Sequence, residues 1–422
     1  MSATFPPTVT PFRAWWVVVL LMATACLNYL DRLMITTMRG SIKEAIPMTE
    51  AQFGLLTTVF LLVYAVCSPF AGYIADRFSR SRVIIASVFV WSVVTGLTAF
   101  ARTYEQLLLT RALMGISEAA CMPASVALIV DYHRGSTRSL ASGLLLAGAM
   151  IGGALGGLGG WMAEGHGWAY AFKVFGILGA GFSVLLLFLL RDAPVENTTA
   201  DVTKPAAAKV GLGDAFISLF THPPYLLMLI YACLLGVVGW SVVGWMPTYI
   251  KEQFNLSQGN AGLSTTLYLN LAALVGMLVG GAWADRWSHT HPMARVWVPV
   301  IGLLVAAPAV LLTANASVLP FALAGLVGYG MARNFADANQ MPILCLIVDP
   351  RYRATSWGIS TFFACAIGGA GIYVGGMLRD AQVDISRVFQ FAAINLVLCA
   401  GLLFLVGRYI RRQGTGSTPT SP

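Results

Sequence analysis

The chain has 422 residues, 57% of them hydrophobic and only 10% charged, against roughly 25% charged in soluble domains. Length alone would suggest two or three soluble domains, and this balance excludes them. The formal net charge of +8 would suit a nucleic-acid partner, but its distribution along the chain assigns it to membrane topology instead.

A helix crosses a hydrocarbon core with about 20 apolar residues. Twelve such runs are predicted, at 14–38, 53–75, 83–101, 106–130, 139–162, 168–190, 224–250, 258–284, 294–313, 318–347, 354–378 and 387–409. They are continuous rather than alternating, which excludes a β-barrel. The first run has only Arg13 as a basic flank and continues to Asp31 and Arg32, so it reads as a retained helix rather than a signal peptide. The second and eighth runs open at Thr49 and Ser257, which can cap exposed backbone N–H groups, and Thr49 with Gln52 has capping-box spacing. The fifth carries Gly148, Gly152, Gly156 and Gly160 at four-residue spacing. That ridge suits close approach of another helix; no strand precedes it, as a phosphate-binding loop would require.

Between the sixth and seventh runs, residues 191–222 are diluted by Pro, Thr, Asn and Lys and read as a cytoplasmic linker. Within it, Leu212 to Phe220 fits a short amphipathic surface helix. The tail, 411–422, is expected to be disordered. The expected fold is therefore an all-α membrane protein, with twelve transmembrane helices in two pseudo-symmetric six-helix bundles, residues 1–190 and 223–410. With both termini cytoplasmic, sixteen of the 26 Lys and Arg fall on the cytoplasmic side, six on the other, and four (Arg32, Arg111, Lys173, Arg333) within or at the edge of spans. This is the positive-inside bias.

The two halves repeat each other. Gly72-Tyr-Ile-Ala-Asp76-Arg77-Phe-Ser79 returns as Gly281-Ala-Trp-Ala-Asp285-Arg286-Trp-Ser288. Thr49, Gly54 and Leu55 return as Ser257, Gly262 and Leu263, and Glu118 to Met122-Pro123 returns as Asp337 to Met341-Pro342. Tandem membrane halves can rock about a site at their interface, which is how secondary transporters alternate access. All seven Cys lie within predicted spans and the five His show no metal-ligand spacing, so neither a metal nor a cofactor is expected. The absence of a nucleophile, metal cluster or phosphate loop argues against an enzyme.

Ionisable groups inside spans are costly and mark functional paths. Asp31 and Arg32 close Asn28-Tyr29-Leu30-Asp31-Arg32. Arg111 and Glu118 share a helix face about 10 Å apart, and Arg333 and Asp337 are one turn apart. Burial raises a carboxyl pKa and a neighbouring Arg lowers it, so moving the Arg links proton exchange to substrate binding. The alternative is a set of static salt bridges, with Arg333 and Asp337 the foremost candidates. Asp76-Arg77 and Asp285-Arg286, with Gly72, read as conformational latches; a purely topological role for the arginines is the alternative.

Gly72, Asp76, Arg77, Arg80 and Arg82, with twelve runs and a central linker, resemble the major facilitator superfamily over residues 13–410, although Ser79 stands where Gly is usual. Within it, Asn28-Tyr29-x-Asp31-Arg32, Arg111-x-x-x-Gly115-x-x-Glu118-Ala119 with Pro123-Ala124, and Trp245-Met-Pro247-Thr248-Tyr249 resemble the anion:cation symporters that import sugar acids and related organic anions. The resemblance implies that Asp31 and Glu118 carry protons, that Arg32 with Tyr29 and Tyr64 contacts a substrate carboxylate, and that Arg111 couples the two acids. Arg333, Asp337 and Asn339 are further candidate substrate contacts. Spinster-like lysolipid transporters share similar patterns, so these motifs do not decide the substrate.

Departures bear on that choice. Ala149 stands where sugar-acid transporters tend to offer a polar amide, and Phe362 and Ala366 where they tend to carry Asn. Asp131-Tyr132-His133 replaces the usual Trp-Phe-Pro. Gly157 stands where drug antiporters carry proline. The expectation is a monomeric, proton-coupled importer of a small organic anion in the plasma (inner) membrane, with the substrate, protons and the lipid bilayer as partners and no nucleic acid. An amphiphile or drug exporter and a non-transporting membrane sensor are the rival expectations.

Overall fold

The computed structural model describes residues 10–133, 137–194, 217–291 and 293–415, apart from the side chains of 72, 76, 350, 354 and 412–415. Most of the predicted linker and most of the tail fall outside these residues, and of the surface helix at 212–220 only 217–220 is described, as helix. No strand occurs among the described residues. Among the described residues, eleven helical spans are long and apolar enough to cross a membrane, two of them (Tyr104–Tyr132 and Thr137–His166) each divided into two helices. The remaining predicted run is a 29-residue helix, Leu319–Ile347, which falls short in hydropathy because Arg333, Asn334, Asp337, Asn339 and Gln340 sit within it.

The helices are α1 Pro11–Thr37, α2 Arg39–Ala45, α3 Glu50–Arg77, α4 Arg80–Thr98, α5 Tyr104–Glu118, α6 Cys121–Tyr132, α7 Thr137–Leu155, α8 Leu158–His166 and α9 Trp168–Leu189. They continue as α10 Pro223–Gln253, α11 Gln258–Ser288, α12 Ala294–Asn315, α13 Leu319–Ile347, α14 Arg353–Asp380 and α15 Ser386–Thr415. Caps begin several of them as the sequence suggested. The Thr49 hydroxyl accepts from Gln52 N at 3.1 Å while the Gln52 side chain accepts from Thr49 N at 2.9 Å, and Ser257 accepts from Asn260 N at 3.2 Å.

The fourth span is broken. Pro123 has no N–H to offer the carbonyl of Ala119 and its ring crowds that turn, so α5 stops at Glu118 and α6 starts at Cys121. The repeat-related Pro342 lies instead inside the continuous α13. The duplicated Met-Pro therefore does not produce the same break twice.

By contacts the chain forms two compact units. The first holds α1 to α9 with residues 243–270 and 372–383. Its apolar cores gather α1, α4, α6 and α7 around Trp91 and Tyr132, and α1, α3 and α9 around Phe53 and Phe172. The glycine ridge is what lets α1 lie against α7 and α8. A methyl at Gly148 would strike the Met22 carbonyl, at Gly152 the Cys26 carbonyl, and at Gly160 would stand 2.8 Å from the Thr37 carbonyl. Thr37 then uses its hydroxyl to accept from Gly160 N at 3.0 Å. This contact fixes the position of Asp31 and Arg32. The second unit holds residues 271–371 with part of α10 and all of α15. There α12 packs against α13 and α15, and Tyr225 Oη donates to the Ser356 carbonyl at 3.1 Å.

Candidate functional site

In the first unit, α1, α3, α4 and α5 bring a set of polar side chains into an otherwise apolar interior. Asp31 is 2% exposed, Arg32 5% and Glu118 0%. Arg32 Nη2 donates to Glu118 Oε2 at 2.9 Å and to Asn28 Oδ1, one turn earlier on α1, at 3.4 Å. Three ring faces enclose the guanidinium: Tyr29 at 4.8 Å, Phe60 at 4.9 Å and Tyr64 at 4.7 Å from its carbon. Cation–π attraction strengthens where water is excluded, so the cage holds a charge that burial alone would not allow. Gly115 makes this possible, because a methyl there would stand 2.8 Å from the Phe60 carbonyl and push α3 and its rings away from α5.

Asp31 points the other way along α1. Thr95 Oγ1 donates to its Oδ2 at 3.4 Å, and Trp91, one turn earlier on α4, stands beside it. Arg111 lies over the Phe172 ring at 5.6 Å, within electrostatic reach of both Asp31 and Glu118. Asp31 Oδ1, Glu118 Oε1, and Arg111 Nε and Nη2 are buried without a hydrogen-bond partner in the protein. Buried polar groups in that state are exceptional. They are the atoms at which a proton, a water or a ligand oxygen would be held. The unit thus offers two carboxylates, two guanidinium groups and an aromatic wall, with more hydrogen-bonding capacity than its own contacts use.

The structure brings together Asn28, Tyr29, Asp31, Arg32, Tyr64, Arg111 and Glu118. Phe60, Trp91, Thr95 and Phe172 belong to the same cluster and were not singled out in the sequence. Only Phe60 carried a signal: it is one turn from Tyr64, so the two share a helix face.

Arg333, Asp337 and Asn339 are in the second unit. Arg333 Nη1 donates to Asp337 Oδ2 at 2.5 Å, an i,i+4 pair with side chains 17% and 34% exposed. Buried around it are the Tyr231 and Tyr329 hydroxyls, neither with a hydrogen-bond partner. Asn339 donates its amide to the Phe335 carbonyl of its own helix at 2.9 Å and to the Gly280 carbonyl of α11 at 3.5 Å.

The predicted latch residues are placed in part. The side chains of Gly72 and Asp76 lie outside the described ones. Arg77 donates to Tyr73 Oη at 3.0 Å, and Asp285 accepts from Arg295 at 3.2 Å on an exposed surface. Arg286 borders a surface groove with Trp283, Trp287 and Thr290. Stronger contacts in this region come from neighbours. Arg80 pairs with Asp131 and donates to the Ala127 carbonyl at 3.1 Å, Ser81 N donates to Asp192 at 2.7 Å, and Tyr132 Oη donates to the Arg191 carbonyl at 2.8 Å. The unusual Asp131-Tyr132-His133 thus stitches the corner where α4, α6 and residues 191–192 meet. His133 completes it, with Nε2 3.2 Å from the Ala14 carbonyl and its ring edge-on to Trp15. Burial holds its imidazole below its usual 6.5. Among the described residues no group of three His, Cys, Asp or Glu is placed to hold a metal ion.

The model of the Major Facilitator Superfamily matches residues 21–373. The chain belongs to that superfamily. As a major facilitator it is a multi-pass membrane transporter. It is 26% identical over 416 residues to an MFS-type efflux pump of Mycolicibacterium smegmatis, covering 94% of this chain and 91% of that protein. It is 28% identical over 383 residues to the protein spinster of Drosophila melanogaster, covering 87% of this chain but only 62% of spinster's length. Over 425 residues it is 26% identical to a D-galactonate transporter of Escherichia coli, covering 95% and 97%. In fold this facilitator superposes, with a TM-score of 0.81 over 96% of the chain, on 98% of a bacterial homolog of the human lysosomal transporter spinster, at 23% identity, described as inward-facing and unoccupied.

Proposed function

We propose that this facilitator is a proton-coupled importer of a small organic anion, working by alternating access with twelve spans, both termini in the cytoplasm and the protein in the plasma membrane as a monomer. The observation that carries the reading is the buried Arg32–Glu118 pair within its ring cage, with Asp31 and Arg111 beside it. An anionic substrate oxygen competes with Glu118 for Arg32. Once Arg32 turns to the substrate, Glu118 loses its counter-ion and takes up a proton. Release of the substrate on the other side returns Arg32 to Glu118 and expels the proton. Arg111 is the group through which the charge state of Asp31 is felt at Glu118. Arg333 and Asp337 form the corresponding pair of the second unit and are, with Asn339, further candidate substrate contacts. Asp285, Arg286, Asp76 and Arg77 act in the conformational change.

The test is uptake of labelled small carboxylates and sulfonates into proteoliposomes, with and without an acidic exterior. The reading expects at least one such anion to accumulate only when the gradient is imposed. Accumulation of none of them would count against it.

A second reading is export of an amphiphile. It is favoured by the spinster relatives and by Phe362, which stands where sugar-acid carriers tend to offer Asn and whose ring meets that of Phe363 at a right angle 5.3 Å away. Tight binding of a lysolipid, with no gradient-driven uptake of any small anion, would select it.

A further inference from the structure

The basic, aromatic end of α15 has no part in the site above. In the second unit α15 packs against α12, and between the start of α12 and the end of α15 lies a cleft of about 160 Å³. Trp297 and Phe404 line it, edge to face with ring centres 5.8 Å apart. Met293 and Val296 line it opposite Gly407, where a methyl would stand 3.1 Å from each of them. Arg408 and Arg411, in the last turns of α15, complete the lining. Both arginines are exposed and Phe404 is 42% exposed, so the cleft opens outward.

Its own helices do not balance this positive charge. Neither α12 nor α15 contains an acidic residue, and Asp285, the nearest acid before α12 in sequence, accepts from Arg295 at 3.2 Å. A helix C-terminus favours cations, and the positive-inside bias places arginines at this end. Neither accounts for an apolar cleft beside them. The first unit carries a cleft of the same design, about 390 Å³ between α4 and α9, with Arg82 in its lining. Arg82, Ile85 and Ala86 of α4 have the spacing of Met293, Val296 and Trp297 at the start of α12. Val184 and Leu187 of α9 have that of Phe404 and Gly407 of α15. The duplication thus yields an apolar cleft with arginine in each half, and the second half has two.

We infer that the cleft between α12 and α15 binds one anionic glycerophospholipid of the cytoplasmic leaflet, its phosphate on Arg408 and Arg411 and an acyl chain along Trp297 and Phe404. Arginine forks match phosphate oxygens, and basic pockets between membrane helices on the cytoplasmic side suit anionic headgroups. Aromatic rings favour the level where headgroup meets hydrocarbon. A cleft of this size admits methylenes but not a helix, which is about 10–12 Å across. Only the cytoplasmic placement of the C-terminus is taken from the transport reading. Failure of uptake leaves the lipid site standing, and failure of lipid binding leaves uptake standing.

The test is native mass spectrometry of the delipidated full chain in detergent, titrated with phosphatidylglycerol, phosphatidylcholine or glycerol 3-phosphate. Wild type is expected to bind a first phosphatidylglycerol at least about tenfold more tightly than phosphatidylcholine. Glycerol 3-phosphate, which lacks the acyl chains, should not bind. Each arginine beside an anionic headgroup contributes about fivefold in affinity. Arg408→Gln should therefore weaken the first phosphatidylglycerol about fivefold, and Arg408→Gln with Arg411→Gln roughly thirtyfold. Arg387→Gln, which removes an exposed charge from the other end of α15, should leave it unchanged. Equal affinity for the two lipids, no loss in the double variant, or the same loss in Arg387→Gln as in Arg408→Gln overturns the inference. Glycerol 3-phosphate binding as tightly as the lipid overturns it too, because the site would then read phosphate alone. If the double variant melts lower than wild type without lipid, Arg408→Gln decides: the fivefold loss supports the site, and no loss contradicts it.

Discussion

The Arg32–Glu118 pair makes a quantitative prediction. At 2.9 Å and an effective dielectric constant of about 20, the two charges attract by about 6 kcal/mol before desolvation. Burial offsets most of that, so the pair adds little net stability while it is intact. Breaking it from one side is different. Glu118→Gln leaves a guanidinium 5% exposed, with Asn28 Oδ1 at 3.4 Å and three rings as its remaining partners. Loss of one partner of a buried pair costs roughly 3–5 kcal/mol, and each ring face offsets about 0.5–1 kcal/mol of it. A loss of roughly 1–3 kcal/mol is expected for Glu118→Gln. Arg32→Met with Glu118→Gln removes both charges and should cost less than the two single changes together. Reversible unfolding in mixed SDS–dodecylmaltoside micelles would give the double-mutant cycle. The expected coupling is at least about 2 kcal/mol, well above the ~0.6 kcal/mol average for polar contacts between membrane helices. Single effects that add to within about 0.5 kcal/mol would refute the reasoning.

Other consequences are separable. Gly152→Ala places a methyl against the backbone of Cys26 and should cost about 1–3 kcal/mol; Gly143→Ala on the same helix meets nothing within 4 Å and should be neutral or gain up to about 1 kcal/mol. Thermal unfolding in detergent distinguishes the two. Because burial lowers the folded pKa of His133, the stability it contributes is present above its usual 6.5 and lost as pH falls through the folded value. Melting temperature should therefore drop on acidification more steeply in wild type than in His133→Asn, and parallel pH profiles would contradict this. Tyr64→Leu removes one face of the Arg32 cage and should weaken anion binding by about three- to tenfold, measured by ligand-induced stabilisation, with the fold retained.

Much of this architecture was legible in the sequence because it follows from local chemistry. Apolar runs, the Thr49–Gln52 box and the four-residue glycine spacing each impose one geometry wherever they occur. The ionisable residues of α1 and α5 stood out because charge is rare in such segments. Trp91 and Phe172 did not, because they are lost among the many aromatic residues of a chain that is 11% Phe, Trp and Tyr. Pro123 and Pro342 show a further limit. The same dipeptide breaks one helix and sits inside another, since neighbouring helices decide whether a freed carbonyl is tolerated. Asp131 and Asp192 lay near span ends, where charge is expected for topology alone, so only contacts in three dimensions distinguish them.

The most direct measurement compares gradient-driven uptake with equimolar counterflow for Asp31→Asn and Glu118→Gln in proteoliposomes. If these acids couple proton movement to transport, both variants lose at least about tenfold of the gradient-driven rate while counterflow, which needs no net proton transfer, continues. Uptake that remains driven by the pH gradient in both variants would contradict the account.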